Sequence, residues 1–341
     1  MQKGRFFTRE ENQRIRCTLC PHQCTLKQGT FGLCKVRQGG EDGIDLPYYG
    51  ALSSLAVDPI EKKPLYHFRP GTSIFSVGFV GCNLRCPFCQ NWEISQGTEI
   101  PLRFLSPAQL CEKAEESHTG AIAYTYSEPL VHAEYLLDSM TEAHRRGLAN
   151  VLVTNGCIQE KPAREILRLV DATNVDLKSF SSQTYSTILG GDLDAVRRFI
   201  TLAHEMGVHT EITTLVVPGI NDTEEELLAI AEWIGRLSPH IPWHLSAYHP
   251  AYRYQAPPTS GTFLFSIATG AQKILRYVYV GNLWTNSNNT RCPVCGALVI
   301  ERHNYHTRLV ALEKIPPADG EEGFHGSYRC ASCKAPLPIY Y

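Results

Sequence analysis

The chain has 341 residues, 43% of them apolar, and a formal net charge of −2. That length allows one large domain with small attachments, or two domains, and that apolar fraction argues against global disorder. The near-neutral balance gives no sign of a nucleic-acid or membrane partner, and no apolar run approaches the roughly 18 residues of a spanning helix.

The opening stretch, MQKGRFFTREENQRIRC, lacks an apolar signal core, so a cytoplasmic location is expected. Residues 1–70 show little helix or strand periodicity and carry scattered glycines and prolines. They read as an irregular module tied by cysteines. The pattern changes at Ser73. SIFSVGFVG (73–81) is a predicted buried strand, followed by AIAYTY (121–126), NVLVTN (150–155), TNVDLK (173–178), HTEITTLVV (209–217) and WHLSAY (243–248). YVYV (277–280) is a further strand or an exposed closing one. Helical patterns lie between them. Ser106, Pro107 and Gln109 give a start signal. Val131 to Arg146 forms the next helix, stopped by Gly147. Asp192 caps another, and Thr223 with Glu226 forms a capping box before a fourth.

Strand and helix thus alternate about six times, which demands largely parallel strands with helical crossovers. The expected fold is α/β: a partial (β/α)6 barrel over residues 71–285, with cysteine-rich modules over 1–70 and 286–341. A doubly wound open sheet is the alternative. Cys82, Glu128, Asn155, Lys178, Pro218 and His249 each fall at or just beyond a strand end, and in a β/α barrel those loops converge on one mouth.

Thirteen cysteines fall mostly into three groups. Closely spaced pairs favour metal ligation over disulfides. Cys82, Cys86 and Cys89 in VGCNLRCPFCQNW offer three thiols, one short of a closed zinc or four-iron site. Either a fourth ligand lies elsewhere or one position is left for a non-protein group. Cys17, Cys20, Cys24 and Cys34 make a four-ligand set that suits structural zinc, with a second iron–sulfur cluster as the other reading. His22 is a further candidate ligand there. Cys292, Cys295, Cys330 and Cys333 form two C-x2-C knuckles suited to a zinc ribbon or a rubredoxin-like iron site. His303 and His306 read as scaffold. Cys111 reads as packing and Cys157 as a turn cysteine near the expected pocket.

GFVGCNLRCPFCQNW resembles the signature of radical S-adenosylmethionine enzymes, and more narrowly of those related to the pyruvate formate-lyase activating enzyme. The nearest resemblance is to the radical enzyme of the AmmeMemoRadiSam system, over roughly residues 13–290. It implies a [4Fe-4S] cluster on Cys82, Cys86 and Cys89 whose free iron binds the amino and carboxylate groups of S-adenosylmethionine. It further implies reductive cleavage to methionine and a 5′-deoxyadenosyl radical that abstracts a substrate hydrogen. Phe88 then packs or orients the adenine, while Trp92 serves local packing.

Glu128, in YTYSEP, stands where related enzymes carry a glycine- and glutamate-containing segment, and its carboxylate suits the methionyl ammonium. Asn155 of VTNG suits ribose or carboxylate. Asp176 and Lys178 of DLK share one side of a strand end. Asn221 of VVPGIND binds cofactor or caps the next helix, and His249 binds cofactor or substrate or is structural. Acid–base hydrolysis by Asp176 and His249 lacks a nucleophile signature.

The resemblance implies reduced ferredoxin or flavodoxin as electron donor, and pathway association with the AMMECR1 and MEMO families. The substrate is unidentified. Activation of a glycyl-radical protein is one alternative, and a non-catalytic, metal-organised interaction protein is another.

Overall fold

The computed structural model describes residues 2–10, 14–97, 100–283, 288–316 and 326–341. The boundary expected at 285/286 falls outside them.

The centre is an eight-stranded sheet. Its strands are β1 (Ser54–Pro59), β2 (Ser73–Gly78), β3 (Ala121–Thr125), β4 (Ala149–Thr154), β5 (Ala172–Asp176), β6 (His209–Val216), β7 (Trp243–Ala247) and β8 (Val278–Gly281). From β2 to β8 the strands pair in chain order and all are parallel, while β1 adds to β2 antiparallel. A doubly wound sheet would reverse its order at a switch point. Here the order never reverses, so the sheet curls one way as a partial barrel. The antiparallel strand β1 comes from the segment read as irregular, where SLAVDP gives too short a pattern to stand out.

Helices cover the outer face. They are α1 (Pro107–Glu116), α2 (Ala133–Arg145), α3 (Glu160–Leu167), α4 (Leu193–Glu205), α5 (Glu224–Leu237) and α6 (Gly261–Ala271). Ser106 and Gln109 form the full capping box of α1. Asp192 caps α4 through the Ala195 N–H. At α5 the expected box is only half made. Thr223 Oγ1 accepts from Glu226 N, but the Glu226 carboxylate turns away to Ser179 Oγ and Phe180 N, 2.5 and 2.6 Å distant. Two buried donors after β5 attract that carboxylate more strongly than a solvated cap does.

Strand periodicity fixes what faces inward. Residues of one parity on β3 to β7 point into the barrel. At its N-terminal end these are small: Ala121, Ala123, Ala149, Val151 and Ala172 pack on Leu65 and Phe68. The 60–71 loop therefore plugs the barrel. Glu211, fully buried, holds the plug by accepting from Tyr66 N and His67 N. Toward the C-terminal ends the inward residues turn polar, including Thr125, Asn174, Asp176, Thr213 and Ser246.

The amino-terminal module is two small three-stranded sheets, docked through the buried pair Arg37–Glu134 at 2.6 Å. The carboxyl-terminal module is two three-stranded hairpin sheets. It docks on the plug through Arg302 Nη2 to Tyr66 O, 2.6 Å, and Tyr340 N to His67 O, 2.8 Å.

Candidate radical-cofactor site

At the C-terminal ends of the strands lies a cavity of about 320 Å³. Cys82, Cys86 and Cys89 all line it, as do Phe88, Glu128, Asn155, Asp176 and Lys178. The mouth expected from strand-end placement therefore brings together the cofactor candidates named from sequence except Asn221 and His249. That histidine is exposed and hydrogen-bonds Asn282 O at 3.0 Å. Asn282 does line the cavity.

The three cysteines are free thiols on a loop that leaves β2 and turns at Gly81, whose φ is +77°. Leu84 N donates to Cys82 Sγ at 3.3 Å, and Cys89 Sγ lies 3.3 Å from Ser95 Oγ. Burial pushes the Cys86 thiol up to about 11, an effect the nearby Lys178 ammonium opposes.

Glu128 is almost fully buried, and its carboxylate accepts from Leu130 N, Thr154 Oγ1 and Asn155 N at 2.6–3.0 Å. Burial still pushes it up to about 7, because three neutral donors replace water only in part. Asn155 is equally committed. Its Nδ2 donates to Asn83 Oδ1 at 3.0 Å and lies 3.7 Å from Cys82 Sγ, while its Oδ1 accepts from Cys157 N. Both residues shape the cysteine loop as well as line the cavity. Asp176 and Lys178 pair at 2.8 Å. Burial works against the Lys178 charge, but Asp176 and Cys86 outweigh it and hold the ammonium above its ordinary range.

Asn221 takes neither expected role. Its Oδ1 accepts from Val217 N, and its Nδ2 donates to Lys178 O and Leu215 O at 2.7 and 2.8 Å. It staples the ends of β5 and β6. Pro218 O accepts from Tyr254 OH. Trp92 stacks on Tyr252 with centroids 5.1 Å apart.

Sequence reasoning missed a polar wall from β1. Asp58 bonds Lys62 and Lys63 at 2.9 and 2.6 Å and accepts from Tyr126 OH. Lys62, Lys63 and Tyr126 line the cavity. Asn174 was also missed, although it precedes Asp176 by two and so shares its face.

The residues present fit a cluster with an attached amino acid. Three thiols converge on the cavity. Ser127 Oγ and Thr213 Oγ1 line it, buried without any protein partner. A buried carboxylate and a partly buried ammonium stand near the cysteines, matching the two charged ends of an amino acid.

A second cavity, of about 500 Å³, shares Lys62, Pro64, Ser246 and Asn282 with the first. Arg302, Asn304 and Tyr305 of the carboxyl-terminal module line its far side. That module therefore stands against the barrel opening. Its four cysteines, Cys292, Cys295, Cys330 and Cys333, have sulfurs all within 4.8 Å of one another. The cross pairs are 3.6 and 3.7 Å apart. A tetrahedral ion with bonds of about 2.3 Å sets sulfurs roughly 3.8 Å apart, so one ion fits. His303 and His306 pair across a hairpin outside that group. Cys111 is buried in α1, and Cys157 is buried behind Asn155.

Among the described residues no helix is long and apolar enough to cross a membrane. The Radical SAM superfamily profile matches residues 76–234. An uncharacterized protein of Methanocaldococcus jannaschii is 37% identical over 319 residues, covering 92% of this chain and 95% of that one. The pyruvate formate-lyase-activating enzyme of Clostridium pasteurianum is 26% identical over 177 residues, covering 51% of this chain and 74% of the enzyme. A solved domain of a pyruvate-formate lyase-activating enzyme from Bacteroides vulgatus superposes with a TM-score of 0.42 at 22% identity, over 47% of this chain and 98% of that one.

Proposed function

Because the chain belongs to the radical S-adenosylmethionine superfamily of enzymes and is distantly homologous to pyruvate formate-lyase-activating enzymes, we propose that it is the radical enzyme of an AmmeMemoRadiSam system. In this reading Cys82, Cys86 and Cys89 hold a [4Fe-4S] cluster and the adjoining cavity holds S-adenosylmethionine. When bound, that pair supplies reductive sulfonium cleavage and a 5′-deoxyadenosyl radical for hydrogen abstraction.

The chain's own residues bind and orient. Lys178 attracts the methionyl carboxylate, and Asp176 holds the Lys178 ammonium or a ribose hydroxyl. Glu128 and neighbouring carbonyls receive the methionyl ammonium, Phe88 packs the adenine, and Asn155 fixes the loop that carries Cys82. His249 positions the Asn282 backbone at the cavity edge. The 500 Å³ cavity receives the substrate, with Tyr305 at its outer wall. The carboxyl-terminal cysteines hold zinc, since a closed four-sulfur site needs no redox role. Reduced ferredoxin or flavodoxin supplies electrons, and members of the AMMECR1 and MEMO families act in the same pathway.

One observation carries this reading. Three unpaired thiols and the separated pair Glu128 and Lys178 surround one cavity that opens into a larger one. The test is anaerobic. Reconstituted, reduced protein is given S-adenosylmethionine and 5′-deoxyadenosine is quantified. The expected product forms in the wild type and is lost in Cys82→Ser, Cys86→Ser and Cys89→Ser. No product from a protein with a verified, reducible four-iron cluster refutes simple cleavage.

A further inference from the structure

The amino-terminal cysteines differ from the carboxyl-terminal ones in a way that bears on what they hold. Cys17 ends a strand that pairs with the one after Cys24, and Cys17 N donates to Cys24 O at 2.9 Å. Gln23, in the left-handed region at φ +43°, folds the turn between them. Cys34 comes in from a separate turn. All four cysteines line one enclosed cavity with His22 and Arg37. Yet among the described residues only the carboxyl-terminal group has three or more ligand atoms all within 4.8 Å of one another. No three of the sulfurs of Cys17, Cys20, Cys24 and Cys34 therefore lie within 4.8 Å of one another, whereas a single tetrahedral ion sets its sulfurs roughly 3.8 Å apart. Four thiols at wider spacing suit a polynuclear group, whose loading widens the present free space of about 10 Å³ among them.

Arg37 adds an independent sign. Its guanidinium is 1% exposed and gives both Nη atoms to Glu134, at 2.6 and 2.9 Å. Its Nε has no partner. An orphaned donor on a residue lining this cavity is uncommon in a folded protein. Cluster sulfurs accept such bonds, and hydrogen bonds to sulfur tune a cluster's potential.

The site also abuts the cysteine loop of the barrel. His22 Nε2 lies 2.7 Å from Asn83 O, next to Cys82. A Cβ at Gly81 would meet Cys34 O at 2.4 Å, so only glycine allows the two backbones to touch there. That contact and the intervening bond lengths put the Cα atoms of Cys34 and Cys82 no more than about 10 Å apart. A structural ion could sit anywhere in the module. This one is built against the redox loop.

We propose that Cys17, Cys20, Cys24 and Cys34 hold a second iron–sulfur cluster of the four-iron type, which passes single electrons to the cluster at Cys82, Cys86 and Cys89. The relay, though not the second cluster itself, rests on the radical-cluster reading above. One electron enters from a low-potential flavin or iron–sulfur protein. The amino-terminal cluster is reduced and then reoxidised as the barrel cluster is reduced, and no bond or proton changes.

Metal analysis and paramagnetic resonance of the full chain test both halves. In the Cys82→Ala/Cys86→Ala/Cys89→Ala variant, iron is expected to fall from about eight to about four per chain, with one reduced four-iron signal left. Zinc in place of that iron, or no metal, overturns the second cluster. In Cys20→Ser/Cys24→Ser the remaining cluster is expected to keep its spectral response to S-adenosylmethionine. Reduction of that cluster by reduced flavodoxin is expected to slow at least tenfold. Reduction at the wild-type rate overturns the relay. A remaining cluster blind to S-adenosylmethionine would instead count against the radical-site reading. His22→Ala spares every cysteine and guards against misfolding. It is expected to keep both clusters and slow the transfer, and an unchanged rate counts against this route.

Discussion

Lys178 Nζ lies 2.8 Å from Asp176 Oδ2, and the two side chains close one wall of the cysteine-lined cavity. They stand two residues apart at the end of β5, so the pleat sends both the same way. Asp176 keeps the Lys178 ammonium charged at every physiological pH. Lys178→Met is expected to weaken S-adenosylmethionine binding roughly ten- to a hundredfold, the loss of one charge-assisted bond of about 1.5–3 kcal/mol. Asp176→Asn should weaken it less, since the ammonium remains. Equilibrium binding to the cluster-loaded protein measures both. Unchanged affinity in Lys178→Met would remove this residue from the cofactor site.

Glu128 sets a pH dependence of the opposite sense to an ordinary surface carboxylate. Burial raises it from 4.5 to about 7 in the fold. Between those values the native chain binds more protons than the unfolded one. Its contribution is therefore greatest below about pH 4.5 and is lost as pH rises through 7, by up to about 1.4 kcal/mol per pH unit. Glu128→Gln should make the apo protein less sensitive to a rise from pH 5.5 to 8. Melting temperatures of both proteins at the two pH values would show it. Parallel shifts would mean that Glu128 is ionised throughout.

The barrel and the core of its site were legible because both rest on local chemistry. Parallel strands buried on both faces read as apolar runs, and the polar residues that end them stand at fixed offsets. Cys82, Glu128, Asn155 and Lys178 follow from that pattern and line the cavity, Asp176 follows from its DLK context, and Pro218 and His249, from the same strand-end pattern, lie outside the lining. The Asp58–Lys63–Tyr126 wall did not, because β1 joins the sheet antiparallel from a segment with no crossover helix to announce it. Nor could spacing reveal that Asn221 would spend its amide on Lys178 O and Leu215 O. A short polar side chain in a turn has many local partners, and tertiary packing selects among them. The nearness of Arg302 and Tyr305 to the barrel opening depends on docking between distant segments, which no local pattern encodes.

The carboxyl-terminal module should be metal-dependent in fold and should affect substrate use alone. Among the described residues its own apolar cluster has seven buried members, Cys292 and Cys330 among them, too few to hold the hairpins without an ion. A chelator, or Cys295→Ser, is expected to remove about one metal per chain and expose this segment to protease. Tyr305 is 52% exposed, so Tyr305→Ala should leave stability within about 0.5 kcal/mol. It should slow substrate-dependent turnover while leaving uncoupled 5′-deoxyadenosine formation unchanged. Loss of uncoupled cleavage would place the residue at the cofactor instead.

Acid sensitivity should come from two buried histidines. His67 bonds Pro338 O and Tyr279 OH, and His132 bonds Val80 O at 2.8 Å. Burial lowers them from 6.5 to about 3 and about 4. Below pH 6.5 the unfolded chain takes up protons that these rings refuse, so stability is complete above that pH and falls as pH drops toward 4. Each histidine contributes up to about 1.4 kcal/mol per pH unit, roughly 4 kcal/mol for the pair between pH 7 and 5. Glu128 offsets part of this over the same range. The loss should therefore be steeper in Glu128→Gln than in the wild type. His132→Gln keeps a donor for Val80 O and should recover about half of the loss. Denaturant unfolding at pH 7 and 5 distinguishes the outcomes. Equal slopes in all three proteins would mean that His132 is charged in the fold, and that the Val80 carbonyl, with the loop leading to Cys82, is held by an imidazolium.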